Sequence, residues 1–195
     1  MEPQQTHLQS LTYLLGIWTP LSSNFKEDLK RYLQLQHVKP KQQLISIGIH
    51  LNNAWYSMDC WACAIHILPN GREEVTAIYA PNEIFTDIGS FLQGQLCQHQ
   101  LDIIHGSMLL KIDRTHFNQL RSHHETATLL EHFLVLQQEK NQWRTDLLVL
   151  PDQQKFDQFA KYYPIHQLPG KICASYLRMT PSRYSAAKTQ FNRQP

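Results

Sequence analysis

Residues 170–188, Gly-Lys-Ile-Cys-Ala-Ser-Tyr-Leu-Arg-Met-Thr-Pro-Ser-Arg-Tyr-Ser-Ala-Ala-Lys, admit very few backbone solutions. A short helix over Gly170–Leu177 buries Ile172, Ala174 and Leu177 on one face, and the small Ala174 permits close packing. A tight turn is expected at Arg178-Met179. Thr180 is a good N-cap and Pro181 suits the first helical position, where its missing N–H costs nothing, so a second helix starts there. Its outer face carries Ser182, Arg183, Ser185 and Lys188, with Tyr184 and Ala187 turned inward. Two short helices about a tight turn have the grammar of a helix-turn-helix, in which the second helix enters the major groove. Thr180, Ser182, Arg183, Ser185 and Lys188 are therefore the candidate DNA-facing residues.

Charge follows the same division. The formal net charge is only +2, but residues 158–195 hold six Lys or Arg and no Asp or Glu, which leaves −4 on the chain before them. A basic segment on an acidic body is the electrostatic footprint of a nucleic-acid-facing unit. Ile172, Tyr176, Leu177 and Met179 make this segment too apolar for a solvated tail.

Upstream, Phe25, Leu29, Tyr32 and Leu33 fall on one helical face over residues 25–33. From Gln43 to Ile112 the pattern becomes short runs of Ile, Val, Tyr and Trp broken by turn signals, which reads as a compact all-β unit. Asn70-Gly71, between Ala64–Ile67 and Val75–Tyr79, is its clearest hairpin signal, since both residues tolerate positive φ. After Asp113 the pattern is helical. Leu129, Phe133, Leu136, Lys140, Trp143, Leu147 and Leu150 step by alternating fours and threes, an a/d seam that predicts a dimerisation helix and equally fits a helix packed inside its own chain. Pro151 ends it, and Phe156, Phe159, Ala160 and Tyr163 give a further helix over 152–163 before Pro164.

The stretch Ile-Cys-Ala-Ser-Tyr-Leu-Arg-Met-Thr-Pro (172–181) resembles the Ile-Ala-Ser-Tyr-Leu-Gly-Ile-Thr-Pro signature of the Crp/Fnr regulators, particularly the short versions common in Bacteroidetes. Asn70–Thr76 and Phe91–Gln95 are similar to the hairpin and the post-cassette turn of that family's cyclic-nucleotide-binding jelly roll, so the resemblance runs over roughly residues 25–190. It implies an α+β chain: an antiparallel β jelly roll (double-stranded β-helix) sensor with an N-terminal helix over 1–114, a long dimerisation helix over 115–150, and a winged-helix-like helix-turn-helix domain over 151–195. The dimer helix would present Leu129, Phe133, Leu136, Trp143 and Leu147. The function implied is a homodimeric DNA-binding transcription regulator acting on a palindromic site under an unidentified small-molecule effector. The alternative is a degenerate sensor or interaction protein that keeps the fold without reading DNA.

Two departures from the family shape that expectation. The Gly-Glu pair and the Arg that hold ribose and cyclic phosphate are replaced, without gaps, by Thr86-Asp87 and Cys97-Gln98. A phosphate in a partly buried site needs a charge-assisted partner, and Asp87 would repel it, so control by cyclic AMP is not expected. In the second helix the family's Glu and Arg readers are Ser182 and Ala186, and the turn glycine is Arg178, which costs energy if positive φ is required there. Few residues follow Lys188, so any β wing is expected to be absent or minimal.

Other chemistry finds little support. Cys60-Trp-Ala-Cys63 with His66 lacks a second ligand pair, and residues three apart on a strand face opposite ways. The four cysteines suit reduced thiols, not a disulfide framework. His123-His124 with His132, or His99 with His105, could join a metal or pH site, although dispersed histidines are usually solvated or packed. No nucleophile elbow, phosphate loop or zincin helix is present, so no enzyme activity, cofactor or metal is expected. The longest apolar run, such as Leu147–Leu150, is too short to span a bilayer, and the start of the chain lacks a secretory signal. A cytoplasmic location without membrane partners is expected.

Overall fold

The computed structural model describes residues 3–193, with side chains described from Leu8. Among the described residues the order is α1 (Pro3–Trp18), α2 (Ser23–Tyr32), β1 (Gln34–His37), β2 (Gln43–Ile45), β3 (Asn53–Ser57), β4 (Trp61–Ile67), β5 (Glu73–Tyr79), β6 (Ile84–Phe85), α3 (Ile88–Gln93), β7 (Gln100–His105) and β8 (Met108–Asp113). The helices α4 (Arg114–Leu120), α5 (Glu125–Leu148), α6 (Asp152–Tyr162), α7 (Gly170–Tyr176) and α8 (Pro181–Phe191) complete it. The strands form two four-stranded sheets, ordered β1-β8-β3-β6 and β2-β7-β4-β5. The chain is thus the expected mixture of antiparallel β-roll and C-terminal helices.

The chain divides into two compact units: Met1–Cys63 with Tyr79–Leu136, and Ala64–Ile78 with Gln137–Pro195. This departs from the boundaries at 114 and 150. The first half of α5 belongs to the first unit and its second half to the second, while the β4–β5 hairpin joins the C-terminal helices.

In the first unit, β3 pairs antiparallel with both β8 and β6, and its Ala54, Trp55, Tyr56 and Ser57 are all buried. Burial on both faces replaces the alternation of a half-exposed strand. Trp55, directly opposite Phe85, stacks on it at 5.6 Å, and Tyr79 stacks on Phe85 at 5.1 Å. Tyr56 and Leu110 instead join a cluster with Leu11 and Leu15 of α1, Phe25 and Leu29 of α2, Leu33, Leu120 and Leu129. The predicted helix over 25–33 is α2, capped by the Ser22 hydroxyl accepting from the Phe25 amide at 3.2 Å. The strand β1 lies outside the predicted β unit, and it pairs with β8 over Gln34–His37. The predicted long helix over 115–150 is interrupted: α4 and α5 are separated at residues 121–124.

In the second unit an aromatic core binds α6, α7 and α8. Phe156 and Phe159 are fully buried; Phe156 meets Tyr184 and Phe191 at 5.3 and 5.6 Å, and Phe159 meets Tyr163 and Tyr176 at 4.8 and 5.6 Å. Each buried Phe contributes roughly 2–3 kcal/mol of transfer free energy. The hairpin turns at Leu68–Gly71, with the Gly71 amide donating to the Leu68 carbonyl at 2.8 Å. Only Gly71 takes positive φ (78°); Pro69 and Asn70 do not, which makes this a Pro-led turn ending in a left-handed glycine instead of a pair of left-handed residues. No helix among the described residues is long and apolar enough to cross a membrane.

Candidate nucleic-acid interface and effector pocket

The helix-turn-helix forms where expected. The helix α7 closes with the Leu177 amide on the Cys173 carbonyl, and the Met179 amide reaches back to the Ala174 carbonyl at 2.9 Å. Between them Arg178 takes φ 52°, so the position the family fills with glycine does need a left-handed residue. Thr180 caps α8, its hydroxyl accepting from the Arg183 amide at 3.3 Å and lying 3.0 Å from the Ser182 hydroxyl. Tyr184 and Ala187 are buried and hold α8 to the core.

The outer face of α8 differs in one respect from the expectation. Ser182, Ser185, Ala186, Thr189, Gln190 and Arg193 line one shallow surface depression, all of them exposed. Arg183 is exposed but engaged: its Nε and Nη2 fork onto the Asp152 carboxylate at the start of α6, the Nη2 contact at 2.6 Å. Lys188 is half-buried and its ammonium donates to the Ile165 carbonyl at 3.3 Å. Both cations expected on the reading face are thus tied within their own unit. What remains on that face is neutral and hydroxyl- or amide-bearing, with Arg193 at one end and Lys161 and Lys171 exposed elsewhere in the unit.

Sequence reasoning missed the network behind the turn. Glu74, 4% exposed on the hairpin, accepts from Arg144 Nη2 at 2.9 Å and from Arg178 Nε at 2.8 Å. Arg144 also donates to the carbonyls of Tyr176 and Val75 and lies over the Tyr176 ring at 4.9 Å, while the Val75 amide donates to the Ser175 hydroxyl. Burial pushes the Glu74 carboxyl up, but hydrogen bonds from Arg144 and Arg178 outweigh it, so its pKa lies below the ordinary range. Only contacts between residues 70 and 104 positions apart reveal this, so no local pattern announces it.

The cassette residues come together as a structural motif. Asp87 caps α3: Oδ1 accepts from the Ser90 amide at 3.0 Å, and Oδ2 accepts from the Gln98 amide at 3.2 Å and meets His99 Nδ1 at 3.3 Å. Burial raises this carboxyl, and the bonds from His99, Ser90 and Gln98 bring it below its usual value. Thr86 donates to the Asn53 carbonyl, and Cys97 is 1% exposed. Arg114 is the nearby cation, and its Nη2 is spent on the carbonyls of Leu51 and Ser90.

Thr86, but not Asp87, Cys97 or Gln98, borders an apolar cavity of about 130 Å³ in the first unit. Its walls come from α1 and α2 (Leu11, Leu15, Phe25, Leu29), from β3 and β8 (Tyr56, Leu110, Ile112), from α3 (Ile88, Phe91, Leu92) and from α5 (Leu129, Leu130, Phe133).

Of the candidate dimer residues, Leu129 (8% exposed) and Leu147 (2%) are spent on the chain's own units and Phe133 and Trp143 are half-buried. Leu136 is exposed, with Leu134 and Val135 beside it. Two of the five are thus buried within the chain and the other three are half-buried or exposed, so the stripe is only partly consumed by the chain's own units. Cys60 and Cys63 are buried thiols whose pKa burial pushes up to about 12, so each is held protonated at neutral pH. The histidines weighed as possible groupings are separately engaged: His123 meets Asp28 at 3.0 Å, His99 meets Asp87, and His132 stacks on Trp18. Among the described residues no three His, Cys, Asp or Glu side chains are placed to hold a metal ion.

No sequence-family profile and no curated protein matches this chain. Solved structures do. FixK2 from Bradyrhizobium japonicum superposes with a TM-score of 0.73 at 12% identity, over 82% of this chain and 84% of that one. The c-di-GMP responsive global regulator CLP of Xanthomonas campestris gives 0.68 at 12%, over 88% and 92%. The Thermus thermophilus catabolite activator protein gives 0.57 at 15%, over 90% and 86%. At these identities the likeness establishes architecture: the chain has the fold of the Crp/Fnr regulators, an antiparallel β-roll followed by a long helix and a C-terminal helix-turn-helix.

Proposed function

We propose that the chain is a non-catalytic, DNA-binding transcription regulator that works as a homodimer in the cytoplasm. The observation that carries this reading is the α7–turn–α8 unit: a capped second helix, held by Tyr184 and Ala187, that turns a carboxylate-free polar face outward. Thr180, Ser182 and Ser185 stand at the end of α8 that meets base edges in such motifs. Exposed Lys161, Lys171 and Arg193 supply phosphate contacts in the same unit.

The chemistry of that face favours A·T pairs. Guanine is read by Arg or Lys and cytosine by Asp or Glu, whereas Gln suits adenine, Ala contacts the thymine methyl and Ser or Thr tolerates either. Ser182, Ser185, Ala186, Thr189 and Gln190 belong to the second set, and Arg183 is held on Asp152. A homodimer places two readers about 34 Å apart and calls for a palindromic site. With Asp87 capping α3 and no cation at Cys97 or Gln98, cyclic AMP and cyclic GMP are not its effectors.

Selection of genomic fragments by the purified protein tests this reading. The expected result is enrichment of A·T-rich inverted repeats whose binding weakens steeply with salt. Uniform, weak binding to all fragments would reject it, and a micromolar cyclic-nucleotide affinity in a fluorescence titration would reject the effector statement.

A further inference from the structure

The cavity in the first unit lies beside the cassette yet shares almost nothing with it. The polar side chains on its wall are turned to other partners: Tyr56 Oη donates to Asn82 Oδ1 at 3.0 Å, Trp55 Nε1 to Gln36 Oε1 at 2.9 Å, Thr86 Oγ1 to the Asn53 carbonyl at 3.0 Å, and Thr126 Oγ1 to the Leu120 carbonyl at 2.5 Å. Water needs two to four polar partners to enter such a space, and an apolar cavity of about 150 Å³ stays dry and takes up benzene. The volume here, about 130 Å³, is of that order. Half-buried Trp18, Leu130 and Phe133 border it, which leaves a route from the surface.

The cavity also touches the helix that a regulator would use to transmit a signal. Leu129, Leu130 and Phe133 line it from α5, and the next three residues, Leu134, Val135 and Leu136, are exposed on the following turn. A molecule seated inside would press on the inner face of α5, with Val135 on the opposite side of the helix.

We propose that this cavity is a binding site for one small, uncharged, hydrocarbon-like molecule, about the size of a single aromatic ring, and that its occupancy sets the position of α5. The binding step stands on the cavity alone; its role as an effector site rests on the DNA-binding reading above. A carboxylate, phosphate or free hydroxyl placed inside would find no partner and be excluded, since an unpaired polar group is poorly tolerated in an apolar environment.

Benzene and phenol serve as probes of equal shape and different polarity, titrated into the full chain and followed by calorimetry and by methyl NMR shifts. Benzene is expected to bind saturably, shifting the methyl signals of Leu110, Leu129 and Leu130, with phenol at least tenfold weaker. Two filling variants, Leu130→Trp and Leu15→Phe, should lose benzene binding; whichever retains the wild-type circular dichroism spectrum gives the result. Phenol binding as tightly as benzene, no saturable benzene response in the folded protein, or an undiminished response in a folded filling variant would each overturn the site. In a second arm, DNA affinity is measured with and without saturating benzene. A severalfold change supports the effector role, and an unchanged affinity at saturation overturns it. Absence of DNA binding in both conditions brings down the DNA-binding reading and leaves the cavity result standing.

Discussion

Arg178 stores strain at the turn of the helix-turn-helix and compensates for it in the same side chain. Its φ of 52° costs a non-glycine residue roughly 1–2 kcal/mol, while its guanidinium reaches the buried Glu74 carboxylate. Substitution to Ala and to Gly removes the guanidinium equally but relieves the strain only in the glycine. Arg178→Gly should therefore melt about 3 °C above Arg178→Ala, which is how about 1 kcal/mol reads out in a chain of this size. The sequence announced the strain, because a family glycine was missing there; it gave no hint of Glu74, because the compensating partner lies on a distant hairpin. Glu125 is a second residue that local pattern could not find. It is 1% exposed, and hydrogen bonds from the Ser22 side chain and amide hold its carboxyl at about 2, against an ordinary 4.5. A carboxyl depressed on folding stabilises the native state fully above its unfolded value and loses that contribution as pH falls through the folded one. The melting-temperature gap between the wild type and Glu125→Gln should be constant above about pH 5.5 and shrink steadily from about pH 4.5 to 2.5.

Among elements, those with one apolar face were legible and those that owe their conformation to a distant partner strand were not. The helices α2, α6, α7 and α8 show their spacing plainly, since each presents a single stripe to a single core, and the cap Thr180 bonds as expected. The strand β1, Gln34–His37, is polar in sequence and owes its existence to pairing with β8, a tertiary contribution that residue propensity does not carry. The same tertiary effect limits the reading face. Arg183 looks like a free cation on a helical wheel, yet α6 brings the Asp152 carboxylate beneath it. Asp152→Asn should release the guanidinium and remove a repulsive charge from the DNA side. DNA affinity is then expected to rise severalfold at low salt, with the log–log salt slope steeper by about 0.9 if Arg183 takes up one phosphate. Loss of Asp152 from the first turn of α6 costs stability of order 0.5 kcal/mol, so a modest drop in melting temperature should accompany it. An unchanged salt slope would show that Arg183 is a strut between α6 and α8.

At the scale of the whole molecule the order of parts was legible and their boundaries were not, and α5 explains why. An a/d stripe records only that one face of a helix is buried; the same spacing serves a partner helix or the chain's own core. Here Leu129 is consumed by the first unit and Leu147 by the second, whereas Phe133 and Trp143 are half-buried and Leu136 is exposed, so in the homodimer proposed above a second copy would meet only part of the predicted seam. The exposed apolar residues available on α5 are Leu134 (39%), Val135 (53%) and Leu136 (38%), with Val149 just beyond its end. In a monomer they would be an apolar patch without a purpose on a helix whose neighbours Glu131, Gln138, Glu139 and Gln142 are polar and exposed. The double substitution Leu134→Glu and Val135→Glu touches neither core, so circular dichroism and melting temperature should stay close to wild type. If the proposed dimer uses this part of α5, sedimentation should then show it giving way to a monomer as like charges are brought into the interface. With the second half-site no longer tethered, binding to an inverted repeat is expected to fall by about a hundredfold or more, while binding to an isolated half-site changes little. A double variant that stays dimeric and keeps its full affinity would place the interface on another surface of the chain, with the exposed Tyr13 and Ile17 of α1 the next to test.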